Sequence, residues 1–223
     1  NENLDVIYDY YDLKKKSQNL PNFAIFDQFA PEKEVEKKYS FDEAFEIVKK
    51  ATKPLGEEYS KILDLAKAER WIDKYPNKNK DSGAFSWGAY GKNPVLLLNF
   101  VGNTQSLFTL AHELGHSMHT YFSNKSQNYD QAGYKIFVAE VASIVNEMLL
   151  LKYLQKNAKT SAEKIYYFDH FLSEFKSTVF RQTMFSEFEQ FAHETFENSL
   201  PISAEVLNNF YYDLNRKYFG KNV

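Results

Sequence analysis

One stretch of the sequence constrains the fold more than any other, the segment Phe108-Thr-Leu-Ala-His-Glu-Leu-Gly-His-Ser-Met-His119. It contains the pattern H-E-x-x-H, formed by His112, Glu113 and His116. Four residues of an α-helix advance about 400°, so the two histidines project from nearly the same face, one turn apart. Two neutral imidazoles at that separation can hold one zinc ion, and Glu113 can reach a water molecule without occupying a coordination position. The pattern therefore predicts a metal-binding helix whose general base is Glu113.

The residues around this pattern are uncharged, which favours an interior site. A helix that turns two histidines and a glutamate into an interior needs its nearby positions free of charge, because an unpaired buried charge is costly. A surface helix with accidental histidines would carry Lys or Glu among them. The uncharged positions are Thr109, Leu110, Ala111, Leu114, Gly115, Ser117 and Met118. The alternatives are a pair of hydrogen-bonded core histidines without a metal, or a structural zinc.

A catalytic zinc ion takes three protein ligands and keeps a fourth position for water, so the pattern needs a third ligand. One large class of sites continues as H-E-x-x-H-x-x-G-x-x-H on the same segment. Here the last two fixed positions are His119 and Phe122, which excludes that class. The other arrangement takes a glutamate from a later helix. The long apolar segment 136–155 carries Glu140 and Glu147, and a carboxylate in such a run needs a metal, a partner or a proton.

Glu140 is the predicted third ligand, because small residues around it permit a close helix approach. These neighbours are Ala139, Ala142 and Ser143. Gly115 on the first helix fits the same purpose, since a mid-helix glycine is otherwise unfavourable. Glu147, two turns beyond Glu140, is predicted to accept a hydrogen bond from a ligand imidazole, and the alternative is that the two glutamates exchange roles. His119 follows His116 by three positions and is predicted to be a hydrogen-bonded histidine beside the site.

A short apolar run precedes the metal helix and is predicted to be a buried strand. A strand beside the metal could offer backbone N–H and C=O groups to an extended peptide and fix its scissile carbonyl over the zinc. The predicted substrate-binding residues are Val95, Leu96, Leu97, Leu98 and Asn99. The alternative is a small hairpin that only completes the core.

Hydrophobic periodicity over the whole chain predicts a mainly α protein, of the α+β type, with a small β-sheet. The predicted regions are a helical lead-in at 1–70, a strand pair at 82–100, the zinc-binding helices at 104–155 and a helical remainder at 160–219. Within the lead-in, residues 20–31 are predicted to be an apolar strap laid over a core. The sequence contains no internal repeat or low-complexity linker, which predicts one domain over residues 1–223.

Charge and composition exclude several classes of function. The net charge of −3 carries no basic bias, so nucleic acid is not a predicted partner. The absence of cysteine excludes disulfides and thiolate ligands and fits a reducing compartment. No apolar run approaches the ~20 residues of a membrane span, so no membrane association is predicted. The sequence opens on Asn1 rather than Met, which predicts a fragment or a processed product.

The chain resembles the oligoendopeptidase F branch of the thimet oligopeptidase family of zinc metallopeptidases. The resemblance rests on segment 108–119 and on Phe137-Val-Ala-Glu-Val-Ala-Ser143, Arg70-Trp-Ile-Asp73, Ser82-Gly-Ala-Phe-Ser-Trp-Gly88, Arg181-Gln-Thr-Met-Phe185 and Glu187-Phe188. It implies one zinc ion per chain, held by His112, His116 and Glu140, with Glu113 as general base. It also implies a mostly helical, zincin-like fold around a deep channel and the cleavage of short peptides in the cytoplasm.

The sequence departs from this family in its extent. The family's downstream segment, which supplies a histidine and tyrosines that stabilise the oxyanion, has no match before Val223, and a large upstream helical region also has none. Residues 1–223 are therefore expected to be a partial catalytic domain, incomplete at both ends, whose missing partner is the rest of the enzyme. Loss of an oxyanion donor typically lowers kcat about 10²–10³-fold, so the expected function is a zinc endopeptidase that is poorly active as this piece. The alternative is a zinc-containing fragment that binds peptides without cleaving them.

Overall fold

The computed structural model describes residues 3–18 and 37–220. Over these residues the protein is mainly α-helical with one small β-sheet, which confirms the predicted fold class. The apolar strap predicted at 20–31 lies outside the described residues. The helices are α1 (Leu4–Gln18), α2 (Phe41–Ala51), α3 (Glu57–Ala68), α4 (Thr104–Ser126), α5 (Ile136–Asn157), α6 (Ser161–Phe175), α7 (Gln182–Glu197) and α8 (Ala204–Phe219), and the strands are β1 (Ile72–Asp73), β2 (Phe85–Trp87) and β3 (Val95–Leu97).

The chain divides into two compact units, residues 35–167 and residues 1–34 with 168–223. The second unit holds an apolar cluster of buried residues from α1, α7 and α8. Its members are Ile7, Tyr11, Met184, Leu214, Tyr218 and Phe219. The unit 35–167 contains both the H-E-x-x-H segment and Glu140, so this unit positions the candidate site. The single partial domain predicted for residues 1–223 stays a prediction.

Local sequence signals set the starts of the helices that support the site. Ser40 and Glu43 form a reciprocal capping box at the start of α2, in which the Ser40 side chain accepts from the Glu43 N–H and the Glu43 carboxylate accepts from the Ser40 N–H. Asn103 caps α4, because its side-chain oxygen accepts from the Ser106 N–H at 2.8 Å. Each cap satisfies backbone donors that have no partner inside the helix.

Helix α4 is the central element of the unit 35–167, since α2, α3, α5, β2 and β3 all pack against it. One side of α4 is apolar and almost completely buried. It consists of Leu107, Leu110, Leu114 and Met118. Because this spacing defines a single helical face, the face that carries His112 and His116 points away from that core.

The sheet has a strand order that the sequence did not reveal. Its order is β1-β3-β2, with β1 parallel to β3 and β2 antiparallel to β3. The predicted strand pair corresponds to β2 and β3. Strand β1 was not predicted because it has only two residues, too few to show an alternating pattern.

The pairing of β3 bears on the peptide-binding role predicted for residues 95–99, which stays a prediction. β3 is the central strand, which pairs with β2 over residues 95–97 and with β1 over residues 96–97. The N–H groups of Leu96 and Leu98 donate to carbonyls on the β1 side at 2.8 Å, and the Asn99 side chain donates to the carbonyls of Asp81 and Gly83. A peptide therefore finds no free backbone edge on Leu96 or Leu97. The apolar run indicated a buried strand, and in this sheet the buried strand is β3, which lies between β1 and β2.

Candidate metal centre

Helices α4 and α5 approach each other most closely at Gly115. A Cβ atom at this position would lie 2.6 Å from Ser143 Cα and 2.8 Å from the Ala142 carbonyl oxygen. Both contacts are shorter than van der Waals distance and involve backbone atoms, so only glycine fits without moving a helix. The sequence predicted this use of Gly115 and of the small residues around Glu140. The close crossing brings the Glu140 side chain over the histidine face of α4.

Three side-chain donors converge where the helices cross. His112 Nε2 and His116 Nε2 lie 3.1 Å apart, and Glu140 Oε2 lies 3.3 Å from the first and 3.4 Å from the second. A tetrahedral zinc ion at about 2.0–2.1 Å from each ligand separates its ligands by about 3.3 Å. The distances therefore fit one ion bound by two nitrogens and one oxygen. Within residues 3–18 and 37–220, this is the group of three that could hold a metal.

Glu147 lies on the far side of the His112 ring. Its Oε1 accepts a hydrogen bond from His112 Nδ1 at 2.9 Å. A proton on Nδ1 leaves the Nε2 lone pair free, and that nitrogen faces Glu140 and His116. The geometry thus separates the two glutamates, with Glu140 facing the centre and Glu147 orienting an imidazole. The exchange of roles that the sequence left open does not match these positions.

Burial and charge act in opposite directions on the two imidazoles. Burial lowers the pKa of His112, but the hydrogen bond and charge of Glu147, with the charges of Glu113 and Glu140, raise that pKa above its ordinary value. Burial lowers the pKa of His116 below its ordinary value, although the Glu140 charge opposes this. The carboxylates around His112 are the groups that a bound cation would neutralise.

The carboxyl group of Glu113 is buried beside this centre, with only 6 % of the residue exposed. Its Oε2 atom is buried and has no hydrogen-bond partner among residues 3–18 and 37–220. Burial raises the pKa of this carboxyl group above its ordinary value, and the negative charges of Glu140 and Glu147 raise it further, while His112 opposes the shift. A buried oxygen without a partner is unfavourable by about 1–3 kcal/mol, so its persistence points to a missing donor such as water. This observation fits a site that holds a cation and its water.

His119 lies on α4 beside the centre but is not one of the three converging donors. Its ring stacks on Tyr134, with centroids 3.8 Å apart and planes inclined by 12°. Burial lowers its pKa, opposed by a hydrogen bond to the backbone of Ala139, the residue before Glu140. His119 therefore packs against the segment that leads into α5, and its predicted supporting role stays a prediction.

Comparison with known protein families agrees with the family resemblance of the sequence. Residues 2–223 match the family model described as Peptidase family M3. The chain belongs to peptidase family M3. The M3 chain is 46 % identical to oligopeptidase PepF of Bacillus subtilis, covering all of this chain and 33 % of that protein. It is also 46 % identical to an oligoendopeptidase F homologue of Borreliella burgdorferi, covering 100 % of this chain and 38 % of that relative.

Solved structures agree with this family. The crystal structure of oligoendopeptidase F from Enterococcus faecium matches the M3 chain with a TM-score of 0.62 and 31 % identity, over 98 % of this chain and 31 % of that one. The resemblance stated from the sequence is therefore confirmed. The chain spans about a third of the length of the curated relatives named above. In the part of the chain that the structure describes, no helix is long and apolar enough to cross a membrane.

Two buried polar residues of α5 support the centre of the M3 chain and were not singled out as functional from the sequence. Ser143 is fully buried, and its Oγ lies 2.8 Å from Glu140 Oε2 and 3.0 Å from the Glu140 carbonyl oxygen. Asn146 donates to the carbonyl of Ala111 at 3.0 Å and accepts from the Tyr59 hydroxyl at 2.9 Å. The sequence signal that could have found them is a polar residue inside a nearly continuous apolar run, because a buried polar side chain needs a hydrogen-bond partner.

Replacing Gly115 with alanine should destabilise the M3 chain by about 1–3 kcal/mol, because the new methyl group overlaps backbone atoms of Ser143 and Ala142. Alanine's better helix propensity, about 1 kcal/mol, does not remove this overlap. Urea unfolding followed by circular dichroism measures the change. The matched control is Gly133→Ala, where a Cβ meets no atom of the described residues within 4 Å. Equal midpoints for both variants would contradict the close crossing.

Proposed function

We propose that this chain provides the catalytic zinc centre of a peptidase that hydrolyses short oligopeptides. The observation that carries the proposal is the convergence of His112 Nε2, His116 Nε2 and Glu140 Oε2 within 3.1–3.4 Å, beside the buried carboxyl of Glu113. Family membership supports peptide hydrolysis, and the name of the Bacillus subtilis relative, an oligopeptidase, supports short substrates. The cytoplasmic location expected from the sequence is part of this proposal.

The three converging residues would hold the ion, and the residues around them would handle the proton. A bound zinc ion supplies a Lewis acid that lowers the pKa of water and polarises a carbonyl group. Glu113 accepts the proton of the attacking water on its unpartnered Oε2 and delivers it to the leaving amine. Burial raises the pKa of this carboxyl group above its ordinary value, which makes it a stronger base for the first step. Glu147 keeps the His112 ring oriented throughout.

In the part of the chain that the structure describes, strand β2 rather than β3 has the free backbone edge that an extended peptide needs. The Leu96 N–H donates toward β1, away from β2, so Leu96 and its partner Ser86 form a non-hydrogen-bonded antiparallel pair. In such a pair the N–H and C=O of Ser86 also point away from β3, to the outer edge of β2. The Ser86 hydroxyl lies 2.7 Å from the Ser117 hydroxyl of α4, one residue after His116. We therefore assign the peptide-binding role predicted for residues 95–99 to the edge of β2.

The proposed function is tested by zinc binding and cleavage together. Purified chain is titrated with zinc under chelator competition, and the native polypeptide that carries this sequence is assayed with a mixed set of short peptides. One zinc per chain with cleavage that stops on zinc removal is the expected result. Cleavage that continues unchanged after complete zinc removal would contradict the proposal.

A non-catalytic peptide-binding role is the second candidate function. It is favoured by the extent of the chain, which covers 33 % of the Bacillus subtilis relative, so groups that stabilise the transition state can lie elsewhere. Zinc binding and peptide binding by residues 1–223 without cleavage would support this role for the isolated chain. Competent cleavage by the purified chain would exclude it.

Replacing Ser143 with alanine should weaken zinc binding about 10–100-fold, the usual effect of removing a group that orients a ligand. The Ser143 hydroxyl hydrogen bonds to the Glu140 oxygen that faces both histidines, so its loss frees that carboxylate to rotate. Competition with a chromophoric chelator measures the affinity. Ser117→Ala is the matched control, because Ser117 is equally buried but bonds to Ser86 of β2. Indistinguishable affinities in the two variants would contradict the orienting role.

A further inference from the structure

A cleft of about 320 Å³ lies between the loop before β2, the end of β3 and the first turns of α4. Apolar side chains contribute much of its lining. The other described lining residues are glycine or neutral polar residues, so none of the lining residues that the structure describes is charged. The residues used below are Ala84, Leu98, Phe100, Val101 and Thr109. A space of this size holds one large amino-acid side chain with room for water.

The cleft reaches the face of α4 that carries the candidate metal centre, at Thr109. Thr109 precedes His112 by three positions and Glu113 by four, so all three project from neighbouring parts of the helix surface. Thr109 is partly exposed, whereas Phe108 and Leu110 on either side of it are buried. The cleft therefore begins about one helical turn, about 5 Å, from the general base.

The direction of β2 relates the cleft to one side of a bound peptide. Along β2 and its flanks, Ala84 lies at the cleft with Thr109, Ser86 meets Ser117, and a Cβ at Gly88 would meet Thr120. β2 therefore runs in the same direction as α4. A peptide that pairs antiparallel with the free edge of β2, the pairing that is more stable per residue, runs from Gly88 toward Ala84.

We propose that this cleft is the subsite for one uncharged side chain of the substrate, in one of the two positions that follow the scissile bond. The proposal rests on the proposed function. A peptide running from Gly88 toward Ala84 passes the centre first and the cleft second, so the leaving-amine side of the peptide reaches the cleft. The lining residues that the structure describes offer no charged partner, and a charged side chain would lose hydration there without compensation.

The test uses the native polypeptide and peptides that differ only in the two positions after the scissile bond. Wild-type enzyme should favour Leu and Phe over Lys and Glu. Ala84→Leu narrows the cleft and should lower kcat/KM for the Leu and Phe peptides at least about tenfold, while the Gly peptide changes less than about threefold. The matched control is Ala158→Leu, at the end of α5 and outside the cleft.

A second variant tests the same subsite by changing its charge rather than its volume. Val101 is 65 % exposed at the cleft, so Val101→Lys adds a charge with little effect on folding. It should raise the relative kcat/KM for Glu peptides about tenfold. Unchanged selectivity in both variants, or a change confined to positions before the scissile bond, would overturn the assignment while cleavage itself stands. No cleavage of any peptide by the wild-type enzyme would overturn the proposed function and the subsite with it.

Discussion

Replacing Glu113 with glutamine should lower the turnover of peptides by the native polypeptide about 10²–10⁴-fold, with zinc still bound. Glutamine keeps the size of the side chain but accepts no proton at neutral pH, so the attacking water loses its base. The three converging donors are untouched, because Glu113 is not among them. Steady-state kinetics with a quenched fluorescent peptide, together with zinc analysis of the same sample, measures both quantities.

The control separates loss of the base from loss of the site. The same variant should bind a substrate peptide with an unchanged affinity, measured at equilibrium when turnover is slow. Turnover within a factor of about three of wild type would exclude Glu113 as the base. Loss of zinc together with activity would instead show that the buried carboxyl of Glu113 holds the centre together.

Replacing Glu140 with alanine should remove stoichiometric zinc binding at neutral pH. The substitution deletes the oxygen that lies 3.3 and 3.4 Å from the two histidine nitrogens and leaves only two ligands on one helix. We expect the zinc affinity to fall by more than the factor of about 10–100 that is typical when a group supporting a ligand is removed. Isothermal titration with zinc and chelator competition measures this loss.

Glu147→Gln is the matched variant, since Glu147 is on the same helix and contacts the same histidine from its other nitrogen. It should weaken zinc binding by the smaller factor of about 10–100. If Glu147→Gln removed zinc and Glu140→Ala did not, the assignment of the two glutamates would be reversed. The two variants thus decide the question that helical spacing alone left open.

The candidate residues of the centre could be predicted from the sequence because each lies on a regular helix with a strong pattern. The spacing of His112 and His116 determines their common face, and the carboxylates in an apolar run had to find a partner. The choice between Glu140 and Glu147 was harder, since they lie two turns apart on nearly the same face. Only the crossing at Gly115 shows that Glu140 Oε2 reaches both Nε2 atoms and that Glu147 meets His112 Nδ1.

The predicted substrate strand depends on a feature that the sequence did not reveal, the pairing of its backbone. Residues 95–99 were predicted to bind peptide because they form an apolar strand beside the metal helix. Their backbone is used by β1 and β2, and the β1 partner comes from residues 72–73, far away in the chain. Pairing of such short, distant segments depends on tertiary packing, which a local pattern does not encode.

The sequence by itself determined the family and the candidate chemistry: two histidines on one face of a helix, a glutamate beside them, and a later helix with carboxylates in an apolar run. These follow from residue type and helical period, which are local properties. The tertiary structure alone decided which glutamate faces the histidines, which strand edge is free, and where an uncharged cleft adjoins the centre. Those features depend on contacts between segments distant in the chain, whose geometry is set by close packing of the folded core.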